Sequence, residues 1–322
     1  MEFELIEILR SRCDVARADV RVGIGDDAAV LAPPAGHALV AATDTLIEHV
    51  HFPLATRPED LGWKSLAVNL SDLAAMGASP AWAMLALTLP SADREFVERF
   101  ADGFAALAAQ HHVALIGGDT TKGSLAVTVS VIGFVPPGRA MLRSGAHPGD
   151  LVFVTGTVGD AAAGLRFPFE GLFHNDASAE ACDALRARLD RPTPRIAAGL
   201  VLRGRASACI DVSDGLVADI GHLAKKSGVG IELSAPSLPA SPALLQAFDA
   251  AERLVLQASG GDDYELAFTL PRAQEAAVLR DLAKTGSGAT RIGRVVEGSG
   301  VKLLDANGAE IALAKRGWNH FP

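Results

Sequence analysis

Asp60-Leu61-Gly62-Trp63-Lys64-Ser65-Leu66-Ala67-Val68-Asn69-Leu70-Ser71-Asp72-Leu73-Ala74-Ala75-Met76-Gly77 is the stretch on which the fold turns. Trp63, Leu66, Ala67, Leu70, Leu73 and Ala74 recur at helical spacing, which predicts a helix over 60–76 ended by Gly77. At about 100° per residue, Asp72 falls on the opposite face, near Asn69 and Ser65. A carboxylate there is open to solvent or to a ligand; taken alone, such an Asp is most often a solvated charge.

On either side of this stretch, a helix is expected over 2–12, strands over 20–24 and 37–43, a second helix over 92–111 and a Val-rich strand over 125–135. The Pro- and Gly-rich stretch over 136–149 is a joint. It predicts two domains, 1–148 and 149–322, in an α/β (α+β) architecture. Beyond it, strands are expected over 151–155, 208–211 and 265–270, and a helix over 217–226. Residues 167–190 are less patterned and read as a variable insertion.

Composition narrows the function classes. The 322 residues are 49% hydrophobic and 21% charged, enough to bury substantial cores. The net charge of −9, without any Lys/Arg run, argues against a nucleic-acid binder. The apolar run over 81–89 is far shorter than the roughly 20 residues a membrane span needs. Cys13, Cys182 and Cys209 lie far apart, with neither a zinc spacing nor a disulfide framework. With acids rather than a basic, apolar leader at the start, a cytoplasmic setting is expected.

Five short motifs could carry chemistry. Gly23-Ile24-Gly25-Asp26-Asp27-Ala28-Ala29 partly matches a dinucleotide fingerprint, but Pro33-Pro34 leaves no room for the crossover helix. It is equally a Gly-rich turn with solvated acids. Thr43-Asp44-Thr45 reads as a strand end, a common ligand position or a plain helix cap. Asp72 is the third. Gly117-Gly118-Asp119-Thr120-Thr121 permits close approach of a ligand or makes a tight turn. Asp211-Val212-Ser213-Asp214-Gly215, between strand and helix, suits backbone N–H donation to an anion, or caps the helix. Together they set Asp27, Asp44, Asp72, Asp119, Asp211 and Asp214 beside turns or strand ends, an all-oxygen set suited to Mg2+ rather than Zn2+. Neither a phosphate-binding GxxxxGK[ST] loop, nor the protein-kinase motifs, nor a GxSxG elbow is present.

These motifs, with His51-Phe52, Arg143-Ser144-Gly145-Ala146, Ser259-Gly260-Gly261-Asp262-Asp263-Tyr264-Glu265 and the tail Lys315-Arg316-Gly317-Trp318-Asn319-His320-Phe321, resemble in order and spacing the thiamine-monophosphate kinase family. The resemblance runs from about residue 3 to 321. The wider superfamily includes aminoimidazole ribonucleotide synthetase and selenophosphate synthetase. It implies the two-domain aminoimidazole ribonucleotide synthetase-like fold, and a homodimer whose N-terminal sheets pair. It also implies ATP as co-substrate, several Mg2+ ions and thiamine phosphate as acceptor. Carried over by position, Asp27, Asp44, Asp72, Asp119, Asp211 and Asp214 are metal-site residues, assisted by Ala42 and Thr43. Gly118, Asp119, Arg143 and Ser213 are ATP contacts; His51, Asp262 and Trp318 face thiamine phosphate. No residue is implied as a catalytic base. The family usually has Glu where Asp262 stands. Another ATP-dependent reaction of the superfamily, or nucleotide binding without turnover, are the alternatives.

Overall fold

The computed structural model describes residues 2–166 and 177–319. Residues 167–176 of the expected insertion, and His320 and Phe321 of the tail motif, lie outside the described residues. The chain divides into two compact units, one of Met1–Leu73 with Ala78–Gly138, the other of Ala74–Gly77 with Arg139–Pro322.

Unit 1 contains α1 (Glu2–Arg12), β1 (Val20–Val22), β2 (Val30–Leu31), β3 (Ala38–Ile47), all but the last two residues of α2 (Pro58–Ala75), β4 (Ser79–Leu89), α3 (Arg94–Gln110), β5 (Ala114–Lys122) and β6 (Ala126–Val135). β1 and β2 form a small hairpin, and the main sheet has the order β3-β6-β4-β5, with only β4 and β5 parallel. Alternation is the reason for the layering. Val40, Leu46, Leu85, Leu87, Val127, Val129 and Val131 are buried on one side of the sheet. The other side leaves Leu39, Ile47 and Met84 exposed at 55%, 42% and 42%. Gly62 and Gly103 let α2 and α3 touch backbone to backbone: a Cβ on Gly62 would sit 2.0 Å from the Phe100 carbonyl oxygen, and one on Gly103 1.8 Å from that of Glu59.

The apolar stripe of α2 is buried as expected, apart from half-buried Trp63, but its polar face is not open to solvent. Ser65, Asn69 and Ser71 are buried as well, and only Asp72 on that face is partly exposed. The physical reason is a polar contact to the sheet: Asn69 takes the Asp44 backbone N–H on its side-chain oxygen at 2.9 Å and donates to the Ser65 carbonyl at 3.0 Å. Two expectations about strands also change. β3 runs on to Ile47, so Asp44 lies within a strand rather than at its end. Gly117-Gly118-Asp119 is not a turn but part of β5, in register with Met84, Leu85 and Ala86.

Unit 2 contains β7 (Leu151–Thr155), α4 (Asp160–Arg166), α5 (Ala179–Asp190), α6 (Ile196–Leu202), β8 (Ala208–Asp211), α7 (Leu216–Ser227), β9 (Gly230–Ser234), α8 (Pro242–Ala247), α9 (Ala250–Ser259), β10 (Leu266–Leu270), α10 (Glu275–Ala283), β11 (Ala289–Val296) and β12 (Gly300–Leu304). Its sheet has the order β12-β9-β11-β7-β10-β8, antiparallel except for β12 against β9. Val152, Val154, Ile210, Ile231 and Ile292 from the sheet pack with Leu216, Ile220 and Leu223 of α7. The poorly patterned 167–190 stretch ends in a true helix, α5, capped by the Ser178 hydroxyl on the Ala181 N–H at 3.2 Å. Among the described residues no helix is long and apolar enough to cross a membrane.

Candidate active site

In unit 1, the sheet and α2 fix the expected residues. Asp27 is exposed, its backbone N–H turned onto the Asp26 carboxylate at 2.9 Å, in a turn that Gly25 enters at φ 121°. Ala42, Thr43 and Asp44 follow one another on β3, and the Thr43 hydroxyl reaches Ser130 Oγ at 2.7 Å. Asn69 ties the Asp44 backbone to α2 one turn before Asp72. His51 accepts the Ile47 backbone N–H through Nδ1 at 3.0 Å, which places the proton of the neutral ring on Nε2. Asp119 sits on β5, separated from β3 by β6 and β4. At three strand spacings, the Asp44 and Asp119 backbones are about 14 Å apart, so they do not form one tight cluster. Gly118 answers to the neighbouring strand: its φ is 156°, and a Cβ there would stand 1.7 Å from the Leu85 carbonyl oxygen. The close approach expected of a ligand is thus made by β4.

In unit 2, three segments converge. Asp211 ends β8 and is buried. The Ser213-Asp214-Gly215 turn follows it into α7. The loop over 259–265 lies against this turn through the Asp262 N–H on the Ser213 carbonyl at 2.9 Å and the Tyr264 N–H on the Val212 carbonyl at 2.8 Å. The tail is the third: Trp318 donates its backbone N–H to the Asp214 carbonyl at 2.8 Å, and the Ser259 hydroxyl donates to the Lys315 carbonyl at 2.6 Å. Asp211, Ser213, Asp214, Asp262 and Trp318 are therefore brought into one neighbourhood. Trp318 is 51% exposed, with the Lys315 ammonium 4.9 Å from its ring centre. Arg143 lies on an exposed loop whose carbonyl accepts the Ser227 hydroxyl at 3.2 Å.

The expected anion position at the start of α7 is already filled. Asp219 Oδ2 accepts the N–H groups of Ser213, Asp214 and Gly215 at 3.0, 3.0 and 3.1 Å. The Asp219 carboxyl is raised to about 7, by burial first and then by Asp211 and Asp214, while the backbone donors act the other way. Nor do Ser213 and Asp214 cap the helix, since Gly215 at φ 134° is the N-cap.

A second carboxylate network props the 259–265 loop. Asp262 and Tyr264 have φ of 67° and 51°, a left-handed conformation that costs non-glycine residues about 1–3 kcal/mol each. Between them, Asp263 accepts the Gly159 N–H at 2.6 Å and the Ala161 N–H at 3.3 Å, and burial pushes its carboxyl up to about 8. Glu265, fully buried, accepts from Arg195 at 2.7 and 2.5 Å, Arg188 at 2.8 Å and the Thr155 hydroxyl at 2.6 Å. The Tyr264 hydroxyl donates to Asp262 Oδ1 at 3.0 Å. The sequence pointed to none of Asp219, Asp263, Arg188 and Arg195 as supports of the site.

Among the described residues, no three His, Cys, Asp or Glu side chains form a ready metal-holding group. The thiols are poor candidates for a soft metal: all three are buried, and burial pushes Cys13 up to about 12 and raises Cys209 too. Carboxylates such as Asp211 and Asp214 suit a hard cation whose coordination is completed by phosphate oxygens and water.

Family models for the AIR synthase related protein N-terminal and C-terminal domains match residues 25–135 and 147–306. A thiamine-monophosphate kinase from Salmonella typhimurium is 45% identical over 99% of this chain and 98% of its own. The crystal structure of thiamine-monophosphate kinase from Stenotrophomonas maltophilia K279a is similar at TM-score 0.88 and 48% identity, covering 96% of this chain and 98% of its own. AaThiL complexed with AMPPCP and TMP is similar at TM-score 0.78 and 35% identity, covering 99% of this chain and 97% of its own. With both domain models matched and near-full-length relatives well above 30% identity, the chain belongs to the thiamine-monophosphate kinase family of AIR-synthase-related proteins.

Proposed function

We propose that this protein transfers the γ-phosphoryl group of ATP to thiamine phosphate, giving ADP and thiamine diphosphate. AaThiL, with AMPPCP and TMP bound, holds the corresponding pair of ligands. Within this chain, the observation that carries the reading is the convergence in unit 2. Asp211, Asp214 and Asp262 gather at one turn, joined through the backbone to Trp318 with its exposed indole. That suits an acceptor with a cationic aromatic ring at one end and a phosphate at the other.

The chemistry asks for positioning rather than proton transfer. With a second pKa of about 6, the acceptor phosphate is largely dianionic at pH 7. Its oxygen forms the new bond to phosphorus as the bond to ADP breaks, and ADP leaves with the electron pair. No enzymatic base is required, in keeping with a site rich in carboxylates. The obstacle is repulsion: at about 4 Å, screened like charges oppose approach by roughly 1–4 kcal/mol per unit pair. Mg2+, when bound, supplies the neutralising charge at the phosphates. The residues we assign to hold it are Asp27, Asp44, Asp72, Asp119, Asp211 and Asp214, with Ala42 and Thr43 assisting. Gly118, Asp119, Arg143 and Ser213 are assigned to ATP, and His51, Asp262 and Trp318 to thiamine phosphate. The test is ADP release from ATP with thiamine phosphate, with and without Mg2+. Release that depends on both supports the proposal; release without the acceptor, or with another acceptor only, refutes it.

Trp318→Ala is expected to raise KM for thiamine phosphate about 3- to 30-fold, with kcat and the KM for ATP little changed. A cation on an indole face is worth roughly 0.5–2 kcal/mol and acts alike on ground and transition states here. The tail is anchored through the Trp318 backbone N–H, which alanine retains. Trp318→Phe should recover most of the loss. A drop in thermal stability at unchanged KM would make the indole a tail anchor only.

We also propose a homodimer formed on the open face of the unit 1 sheet, where Leu39, Ile47 and Met84 are exposed. Sedimentation at micromolar concentration should then give about twice the 33.3 kDa chain mass. A fully active monomer would count against it.

A further inference from the structure

We propose that Asp219 is a positioning residue for the phosphoryl transfer: it acts as a buried internal acceptor that shapes the Ser213-Asp214-Gly215 turn, so that this turn meets ATP and its cation with side-chain oxygens and not with backbone N–H groups. The inference rests on the kinase reading above and names a residue that the motif itself does not.

A strand-to-helix turn with a glycine ordinarily offers its N–H groups to a phosphate. In this chain those donors are consumed. One carboxylate oxygen of Asp219, a residue only 3% exposed, collects the N–H groups of Ser213, Asp214 and Gly215 at 3.0, 3.0 and 3.1 Å. The Asp219 backbone N–H returns to the Gly215 carbonyl at 2.9 Å, so the turn and the first turn of α7 close on each other. Glycine is required at 215, where φ is 134° and a Cβ would come within 2.9 Å of the Ser259 carbonyl oxygen. The same turn holds the other two segments through the Ser213 and Asp214 carbonyls, which accept from Asp262 and Trp318. Asp219 thus sets, through one buried carboxylate, the backbone that carries Asp214 and receives the loop and the tail. A phosphate placed on that turn would find its three N–H donors already taken by Asp219. The turn's remaining polar side chains, Ser213 and Asp214, are half-buried, and their oxygens suit a cation shared with phosphate.

The experiment compares Asp219→Ala and Asp219→Asn with the wild type in three measurements: hydrogen exchange of the Ser213 to Gly215 amides in the ligand-free protein, calorimetric binding of AMPPCP with Mg2+, and kcat. Alanine removes the acceptor. It should deprotect the three amides, weaken AMPPCP binding at least about ten-fold and lower kcat at least about 100-fold, the scale on which small misplacements cost rate. Asparagine keeps a neutral acceptor and should fall between, with kcat reduced about 3- to 10-fold. An alanine variant that is merely less stable, with AMPPCP affinity and kcat unchanged below its melting temperature, overturns the proposal. Should alanine fail to fold, wild-type amide exchange and kcat in the asparagine variant overturn it equally. If the wild type binds AMPPCP but does not phosphorylate thiamine phosphate, the kinase reading fails, while amide exchange and AMPPCP binding still decide the role of Asp219.

Discussion

Asp44→Asn is expected to lower kcat by roughly 100-fold or more, with the melting temperature and circular dichroism of the protein unchanged. The expectation follows from what the substitution leaves in place. Asp44 lies within β3, opposite Val129 of β6, and its backbone N–H is held by the Asn69 side chain at 2.9 Å. Both contacts are made by the backbone, which asparagine retains. Asparagine matches the side chain in size, so the change is close to removal of a single negative charge. If Asp44 helps hold a cation at the transferring phosphoryl group, that charge is worth most in the transition state, where losses of about 100- to 1000-fold per electrostatic contact are usual. Coupled ADP release at saturating ATP and thiamine phosphate measures it, with Asp305→Asn, in an exposed turn, as the control that should not change. Normal turnover in Asp44→Asn would remove Asp44 from the metal-binding set.

α1, β7 and β8 coincide with the expected spans because each is a short patterned run bounded by turn residues. β5 was missed because paired glycines signal a turn to any local rule. Only the neighbouring strand shows why they are there, since the Leu85 backbone leaves no space for a side chain at 118. The extension of β3 through Asp44 to Ile47 depends on pairing with β6 over its whole length, a long-range contact that no local pattern records. The candidate site divides in the same way. Residues in short motifs could be named one by one, but what supports them could not. Asn69 read as one more polar position on α2, whereas it is buried as the link to Asp44. Asp219 had an ordinary local reading, an acid in the first turn of a helix favoured by its dipole. Its real partners lie four to six residues back, where the chain folds over the helix start. Arg188 and Arg195 stand some 70 or more residues from Glu265, in stretches without any motif.

Glu265→Gln should give the largest loss of stability, about 3–5 kcal/mol, and lower the melting temperature by roughly 6–20 °C. The carboxylate is wholly buried at the start of β10 and balances two guanidinium groups, Arg195 at 2.5 Å and Arg188 at 2.8 Å. Glutamine has nearly the same volume, so packing is preserved while both cations lose their principal counter-charge. Asp160, 3.8 Å from Arg188, offers only partial replacement. Removing one partner of a buried pair costs more than the pair contributes, because the remaining charge stays desolvated. Glu265→Gln combined with Arg195→Gln should therefore lose less than the sum of the two single changes, by about 1 kcal/mol or more. Glu7→Gln, which breaks an exposed ion pair with Arg10 on α1, should leave melting unchanged. The effect should also reach the candidate site. The Glu265 carbonyl accepts the Val212 N–H at 2.8 Å, and the residues just before it are the left-handed Asp262 and Tyr264, whose conformation needs firm support. Below its melting temperature, Glu265→Gln should raise KM for thiamine phosphate, because Asp262 and the tail residue Trp318 are held on the same turn. Chemical denaturation supplies the stability difference and ADP release the kinetic one. A variant within about 1 kcal/mol of wild type, near the ordinary scatter of substitutions, would show that Arg188 and Arg195 are balanced by other groups. Glu265 would then not be the support of this loop.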